Sequence, residues 1–470
     1  MNILLIRPKR IKQSITLGEF MFSEPLGLEM VKSIWGVKHQ VHILDLMIDD
    51  ISIHRAIETY QPHVVGITSL CIDVPSVRAL AQQVKKIDPA IIVVVGGTQA
   101  YLDPDAFFVD AVDHVFQHTT QANLEMIGDY LQAHTIPPRI DGVFSQAHGF
   151  VNTCSSACNE YMIPDRSATA TYRPNYSYFG YRPAAIMATS TGCSAHCGFC
   201  LRWRIEGPVE TYFPMDSVRD DLLSIQEPYV MLYDNDFIHN GERLSAFCDM
   251  LEHYQIRKTF ICYASVDSIL KNETPLRRFA SLGLQVVLVG YETFSNVELA
   301  AYAKPSRSED NLIASRLLRS LGLNVWASFI VHPDWTHEDF ARLRRFIRQL
   351  RPEISTFSPL TPFYHLPMYA AYRDRLLATK EDYEAWSFGQ VTIMPSRLSL
   401  RSFYMELLKT HVLINFNLNN GWYIVRHFGW STLLRMLKGS YSLLRQYLTL
   451  MRDAPHLENR HGNHDSAQGN

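Results

Sequence analysis

Short apolar runs recur through the first 150 positions, at Asn2–Ile6, Val41–Leu46, Val64–Leu70, Ile91–Val95 and His114–Phe116. Between them, Leu26–Trp35, Ile53–Tyr60, Pro75–Ile87 and Gln121–Leu131 carry apolar residues at helical spacing. This alternation predicts an α/β domain over residues 1–148, a Rossmann-like (flavodoxin-like) parallel sheet with helices on both faces. In such sheets ligands bind at the carboxyl ends of the strands. The pattern breaks over 149–183. There Tyr172–Pro183 is rich in Tyr, Pro and Gly, and its aromatics predict an ordered connector in place of a solvated linker. A second alternating block, 184–368, has strand signals at Ala185–Thr189, Tyr229–Tyr233, Thr259–Ala264, Gln285–Val289, Val325–Val331 and Ile354–Ser358. Six βα repeats predict a partial (β/α)6 barrel with its site at the strand carboxyl ends. Residues 369–456 read as a mainly helical C-terminal domain, and the polar stretch 457–470 as a disordered tail.

Composition narrows the classes. At 470 residues the chain predicts two or three domains, and 47% apolar with 19% charged residues excludes disorder. A net charge of −3 gives no electrostatic reason for nucleic-acid binding. The start, Met1–Pro8, has no basic lead and reads as a strand, and no apolar run reaches the ~18 residues of a membrane span. A cytoplasmic protein is expected, in which closely spaced cysteines bind metal more often than they pair. The segment Leu398–Leu450 is dense in Leu, Phe, Trp and Tyr with interspersed Lys409, Arg426, Arg435, Lys438 and Arg445. It suits a helical cap on the barrel, a cover for an apolar substrate, or a peripheral membrane contact.

The chemistry is concentrated in Thr191-Gly192-Cys193-Ser194-Ala195-His196-Cys197-Gly198-Phe199-Cys200, directly after the first barrel strand. Cys193, Cys197 and Cys200 can take three corners of a cubane cluster and leave the fourth iron open to a small molecule. Zinc would want a fourth ligand, and His196, inside the loop, is poorly placed to serve. Cys154 and Cys158 are also four apart but have no third partner, while Cys71, Cys248 and Cys262 read as small apolar residues.

The Cys-x3-Cys-x2-Cys pattern, with an aromatic before its last cysteine, resembles the radical SAM superfamily. The resemblance implies a [4Fe–4S] cluster whose open iron binds S-adenosylmethionine (SAM), and reductive cleavage to a 5′-deoxyadenosyl radical. It also implies an external flavodoxin- or ferredoxin-type electron donor and anaerobic chemistry. Phe199 falls among the implied SAM contacts. So do Asp234 and Asn235 of the Tyr233–Asp236 turn, and Glu292 of Val289–Thr293, which resembles a Gly-x-Glu-Ser string with Thr293 replacing Ser. Leu360–Phe363 is similar to the family as well, though a barrel-closing turn is an equal reading.

The N-terminal block resembles a cobalamin-binding domain. Thr68, Ser69 and Leu70 follow its third strand and Gly96, Gly97 and Thr98 its fourth, where such domains hold the nucleotide tail. Glu24–Glu29 is similar to the start of these domains. The Asp-x-His-x-x-Gly string that supplies a lower cobalt ligand is missing; Arg7–Gln13 stands there. Together the two blocks resemble cobalamin-binding radical SAM enzymes, most like the hopanoid C-3 methylase type, on overall layout, Leu360–Phe363 and Asp382–Trp386. The resemblance implies methyl transfer to an unactivated carbon of a hydrophobic, lipid or natural-product substrate. A radical cyclase like the protoporphyrin ester cyclase is the alternative, and a non-catalytic cobalamin sensor a remoter one. A methylthiotransferase would carry three N-terminal cysteines, where this chain has Cys71.

Overall fold

The computed structural model describes residues 1–9, 21–151, 160–419 and 421–468; Cys154, Cys158 and most of the Arg7–Gln13 string lie outside them. The N-terminal sheet contains β1 (Asn2–Arg7), β2 (Gln40–Asp45), β3 (Val64–Thr68), β4 (Ile92–Gly96), β5 (His114–Phe116) and β6 (Val143–Ser145). The spatial order is β2-β1-β3-β4-β5-β6, parallel except for β6, which pairs antiparallel with β5. This is the flavodoxin-like order, with its switch point between β1 and β3. Ile3–Ile6, Val64, Val65, Ile67 and Val93–Val95 are all buried, because helices cover both faces and leave no side of the strand for polar residues. The helices Leu26–Trp35 and Gln121–Gln132 pack on one face, tied by the Trp35 indole donating to the Leu124 carbonyl (2.8 Å).

The second sheet is parallel throughout, in sequential order: β7 (Ala184–Met187), β8 (Tyr229–Leu232), β9 (Thr259–Ala264), β10 (Leu284–Glu292), β11 (Asn324–Val331) and β12 (Ile354–Pro359). Alternate residues point inward. Ile186, Met231, Ile261, Val286, Trp326 and Ile354 meet Tyr178, Phe179, Tyr181, Tyr423 and Ile424, which plug the barrel toward the amino ends of its strands. The outward residues pack under the helices in the largest core. The carboxyl ends are left to the loops that carry the chemistry.

A buried ionic network fastens residues 160–183 across the two sheets. Arg166 pairs with Glu24 (2.9 Å) and Asp221 (3.0 Å). Arg173 pairs with Glu24 (3.1 Å), Glu29 (3.2 Å) and Glu227 (3.3 Å). The Ile186 amide also donates to Glu24 (2.9 Å), so the Glu24–Glu29 string joins the first domain to β7. Four carboxylates share two guanidiniums. Burial first, and then the neighbouring Glu24, push Glu29 up to about 7.

At the C-terminus, Leu400–Leu413 and Gly421–Gln468 are helical, the latter broken at Gly429 (φ 76°). The backbone remains helical through Gln468, across the stretch where the sequence predicts disorder. Among the described residues no helix is long and apolar enough to cross a membrane.

Candidate functional site

The cysteine loop leaves β7 through Thr189–Thr191 and is pinned by its own glycine and by two flanking turns. Gly192 has φ 84°, and a Cβ there would collide with the Val209 carbonyl, so only glycine lets the chain pass this close to Val209. The Cys193 amide donates to Gly207 (3.0 Å), the Gly198 amide to Tyr302 (3.1 Å) and the Cys200 amide to Cys197 (3.1 Å). Trp203 Nε1 donates to the Cys197 carbonyl (3.1 Å) and His196 Nε2 bonds Pro208 (2.8 Å). The His196 ring is therefore engaged away from the thiols. Burial raises all three thiols, Cys197 to about 11, and Cys197 also feels the other two electrostatically. Among the described residues no three His, Cys, Asp or Glu side chains converge on one ion. A cubane suits this donor set, because each thiolate takes a different iron.

Two of the expected SAM contacts are engaged in holding this loop. Asp234 is buried and accepts from the Thr189 amide (3.1 Å) and hydroxyl (2.8 Å) and from Ser190 (2.5 Å). Asn235 Nδ2 donates to Gly192 (2.8 Å) and Glu206 (2.7 Å), and its Oδ1 accepts from Arg202. Both residues lock the base of the cysteine loop, in the turn from which SAM contacts are expected. Phe199 stays partly exposed, packed edge-on against Tyr302 (5.4 Å).

Glu292 closes β10 in the left-handed region (φ 60°), buried, with Gly290 beneath it; a Cβ on Gly290 would strike the Glu292 carboxylate. It does not stand alone. Lys304 Nζ pairs with Glu292 Oε1 at 2.9 Å and lies 5.9 Å from the centre of the Phe199 ring. Burial alone would lower Lys304, but Glu292 and Cys197 outweigh it and hold the ammonium above its ordinary range. Lys304 in turn favours the thiolates of Cys197 and Cys200. Asp236, whose Oδ2 accepts from Ser268 (2.6 Å), is a further carboxylate close enough to act on Cys193 and Lys304. Sequence reasoning missed Lys304. It follows a left-handed turn at Ala303 (φ 58°), and no motif marks it.

The cobalamin residues form a cradle at the ends of β3 and β4. Gly97 has φ 98°, and a Cβ there would press on the Ser69 backbone (2.7 Å) and the Thr68 hydroxyl (2.8 Å). The Ser69 hydroxyl donates to the Gly96 carbonyl (2.8 Å), and the Gln99 amide to Ser69 (3.1 Å), so Ser69 ties the two loops together. Thr68, Gly96, Gly97 and Thr98 line a cavity of about 240 Å³ walled by Leu28, Trp35, Phe116 and Leu124. That is far more than the ~30 Å³ a water occupies, in a domain whose strands are otherwise close-packed. An apolar slot with hydroxyls and bare backbone at its mouth fits a bicyclic base on a nucleotide tail. Leu70 is exposed beside the mouth.

The two loop sets meet. Tyr101 donates to the Arg204 carbonyl (3.2 Å), joining the helix after Gly97 to the helix after Cys200. Cys71 joins Leu201, Trp203, Phe363, Tyr364 and Trp386 in one apolar cluster. Tyr364 accepts from Gln99 (3.0 Å) and donates to Asp103 (2.9 Å), while Lys380 pairs with Asp103 (2.6 Å). The loops at the carboxyl ends of both sheets thus meet, a geometry the sequence does not contain.

Residues 21–127 match the model of the B12 binding domain, and residues 187–347 that of the radical SAM superfamily. The chain is 26% identical over 434 residues to the hopanoid C-3 methylase of Methylococcus capsulatus, covering 89% of this chain and 80% of that one. It is 21% identical over 390 residues to the anaerobic magnesium-protoporphyrin IX monomethyl ester cyclase of Rubrivivax gelatinosus, covering 76% and 67%. Its fold resembles the radical SAM methyltransferase TsrM of Kitasatospora setae, solved with cobalamin and a [4Fe–4S] cluster, at a TM-score of 0.65 and 14% identity over 88% of each chain. With a B12-binding domain followed by a radical SAM domain, the chain belongs to the cobalamin-binding radical SAM enzymes.

Proposed function

We propose that this enzyme methylates an unactivated carbon of a hydrophobic or natural-product substrate. The observation that carries the reading is the meeting of the segments that follow the cobalamin cradle and the cysteine loop, joined by Tyr101–Arg204 and Tyr364–Gln99. When bound, the cluster with SAM supplies a hydrogen-abstracting radical and the cobalamin a transferable methyl group. Cys193, Cys197 and Cys200 would hold the cluster; Glu292, paired with Lys304, and Phe199 would orient SAM beside it. Thr68, Gly96, Gly97 and Thr98 would seat the cobalamin tail, with Leu70 beside the cavity mouth and Ser69 fixing the loop. The apolar cluster of Trp203, Phe363 and Trp386 keeps this junction dry, which would protect a carbon radical formed beside it from quenching. An external flavodoxin- or ferredoxin-type reductant would supply the electron. A reducing cytoplasm suits three unpaired thiols and an oxygen-sensitive cluster.

The test is anaerobic turnover of the reconstituted enzyme with methyl-deuterated SAM and lipid or tetrapyrrole candidates, read by mass spectrometry. A product heavier by the labelled methyl group supports the reading. 5′-Deoxyadenosine formed together with an unmethylated, ring-closed product would replace it with the cyclase reading, which the similarity to the ester cyclase keeps in view.

A further inference from the structure

The C-terminal helix is apolar on two faces. Beyond Gly429, Leu443, Tyr447, Met451 and Ala454 are buried against the rest of the chain, with the Tyr447 hydroxyl donating to the Gly389 carbonyl (3.4 Å). On another face Trp430, Leu434, Tyr441 and Leu448 are 67%, 64%, 62% and 51% exposed. At 3.6 residues per turn these four positions fall within about 40° of one another and span about 27 Å of helix. Trp422, 72% exposed, precedes the break. A helix packed on a globular protein turns one apolar stripe inward and a polar face outward. Single exposed apolar residues need no explanation, but a continuous exposed stripe marks a contact surface.

Charge identifies the occupant. Residues 421–454 contain Arg426, Arg435, Lys438, Arg445 and Arg452 against Asp453 alone, in a chain whose net charge is −3. Arg426, Arg445 and Arg452 are exposed. A second copy of the chain would bring the same five bases against these five, with one acid each to offset them. An anionic lipid surface offers the opposite charge. Trp and Tyr beside Arg also suit a layer that is apolar below and wet above, where both ring bodies and polar tips are satisfied.

We propose that this face seats the enzyme on an anionic bilayer, with Trp430, Leu434, Tyr441 and Leu448 in the headgroup–acyl boundary and the arginines at the phosphates. The helix lies on the membrane and does not cross it. The inference is independent of the reaction assigned above. Full-length enzyme is mixed with vesicles of phosphatidylcholine alone or of equimolar phosphatidylcholine and phosphatidylglycerol, and the bound fraction is measured by flotation. Wild type is expected to float with the anionic vesicles, less with the neutral ones, and to be released by salt. Trp430→Ser/Leu434→Ser should lower the partition coefficient roughly tenfold, from the apolar area withdrawn, and Arg426→Glu/Arg445→Glu should abolish the preference for anionic lipid. Unchanged circular dichroism and iron content show that these exposed substitutions leave the fold intact. Wild type that stays unbound with both vesicles, or binds them equally well after either double substitution, overturns the proposal. So does a concentration-dependent dimer that the first double substitution dissolves without any vesicle binding.

Discussion

At the scale of single residues, the site is a set of mostly buried charges. The Glu292–Lys304 pair is buried beside three thiols, and removing one partner of such a pair leaves an uncompensated charge, at a cost of about 3–5 kcal/mol. Lys304→Met is therefore expected to destabilise the protein more than the double variant Lys304→Met/Glu292→Gln does, as read by denaturant unfolding. Additive effects in that cycle would show that the two side chains do not depend on each other. Glu292→Gln alone should weaken SAM binding and leave the iron–sulfur absorbance intact, because the carboxylate orients and does not ligate; wild-type SAM affinity would contradict it. Replacing Cys193, Cys197 and Cys200 with Ala should remove the visible iron–sulfur band and all 5′-deoxyadenosine formation, and unchanged iron content would be incompatible with the assignment. The thiols and the Gly97 cradle were legible because each is a local string with a fixed geometric demand. Lys304 was not, since it reaches Glu292 only through the fold of a turn. Asp234 and Asn235 were legible as functional acids and amides of a strand-end turn, but the chain alone does not show that Thr189, Ser190 and Gly192 take up their polar atoms.

At the scale of elements, buried parallel strands announce themselves as apolar runs, and for that reason the two parallel sheets follow closely from pattern. β6 escapes it, being three residues long and antiparallel at an edge. The ionic network escapes it too, because Arg166 and Arg173 find Glu24 and Glu29 across 142 and 144 positions of sequence. That network makes a pH prediction. The folded-state pKa of Glu29, about 7, lies above its ordinary 4.5, so the folded protein keeps a proton that the unfolded chain has lost. Stability from this group is complete below the lower value and falls as pH rises through the upper one. Glu29→Gln keeps the neutral form at every pH. It should gain on wild type by on the order of 2 kcal/mol between pH 5 and pH 8, measured by thermal unfolding across that range. Parallel pH profiles for the two proteins would show that Glu29 is ionised in the folded state throughout.

At the scale of the molecule, two domains that each bind a cofactor are useful only at a fixed separation, since a methyl group and a carbon radical react over near-contact distances. The seam that sets this separation has an apolar cluster and a small polar part. Tyr364 stands between Gln99 and Asp103, and Lys380 neutralises Asp103, whose carboxyl is raised first by burial. Tyr364→Phe removes a hydrogen bond to each of two buried partners on the cobalamin side, and Lys380→Gln leaves Asp103 without its cation. Among the described residues neither side chain hydrogen-bonds to the Cys193–Cys200 loop, so cluster content and SAM cleavage should survive in the double variant. Cobalamin content should survive as well, because the cavity behind Gly97 is walled by the first domain and by Glu160 and Met162 of the connector, not by the barrel. What the double variant should lose is coupling. The ratio of methylated product to 5′-deoxyadenosine is expected to fall roughly tenfold, as a seam loosened by about 1.4 kcal/mol or more lets the radical be quenched before the methyl donor is in reach. An unchanged ratio with normal loading of both cofactors would show that the separation is fixed elsewhere, with the Arg166–Glu24 network as the remaining rigid link between the sheets.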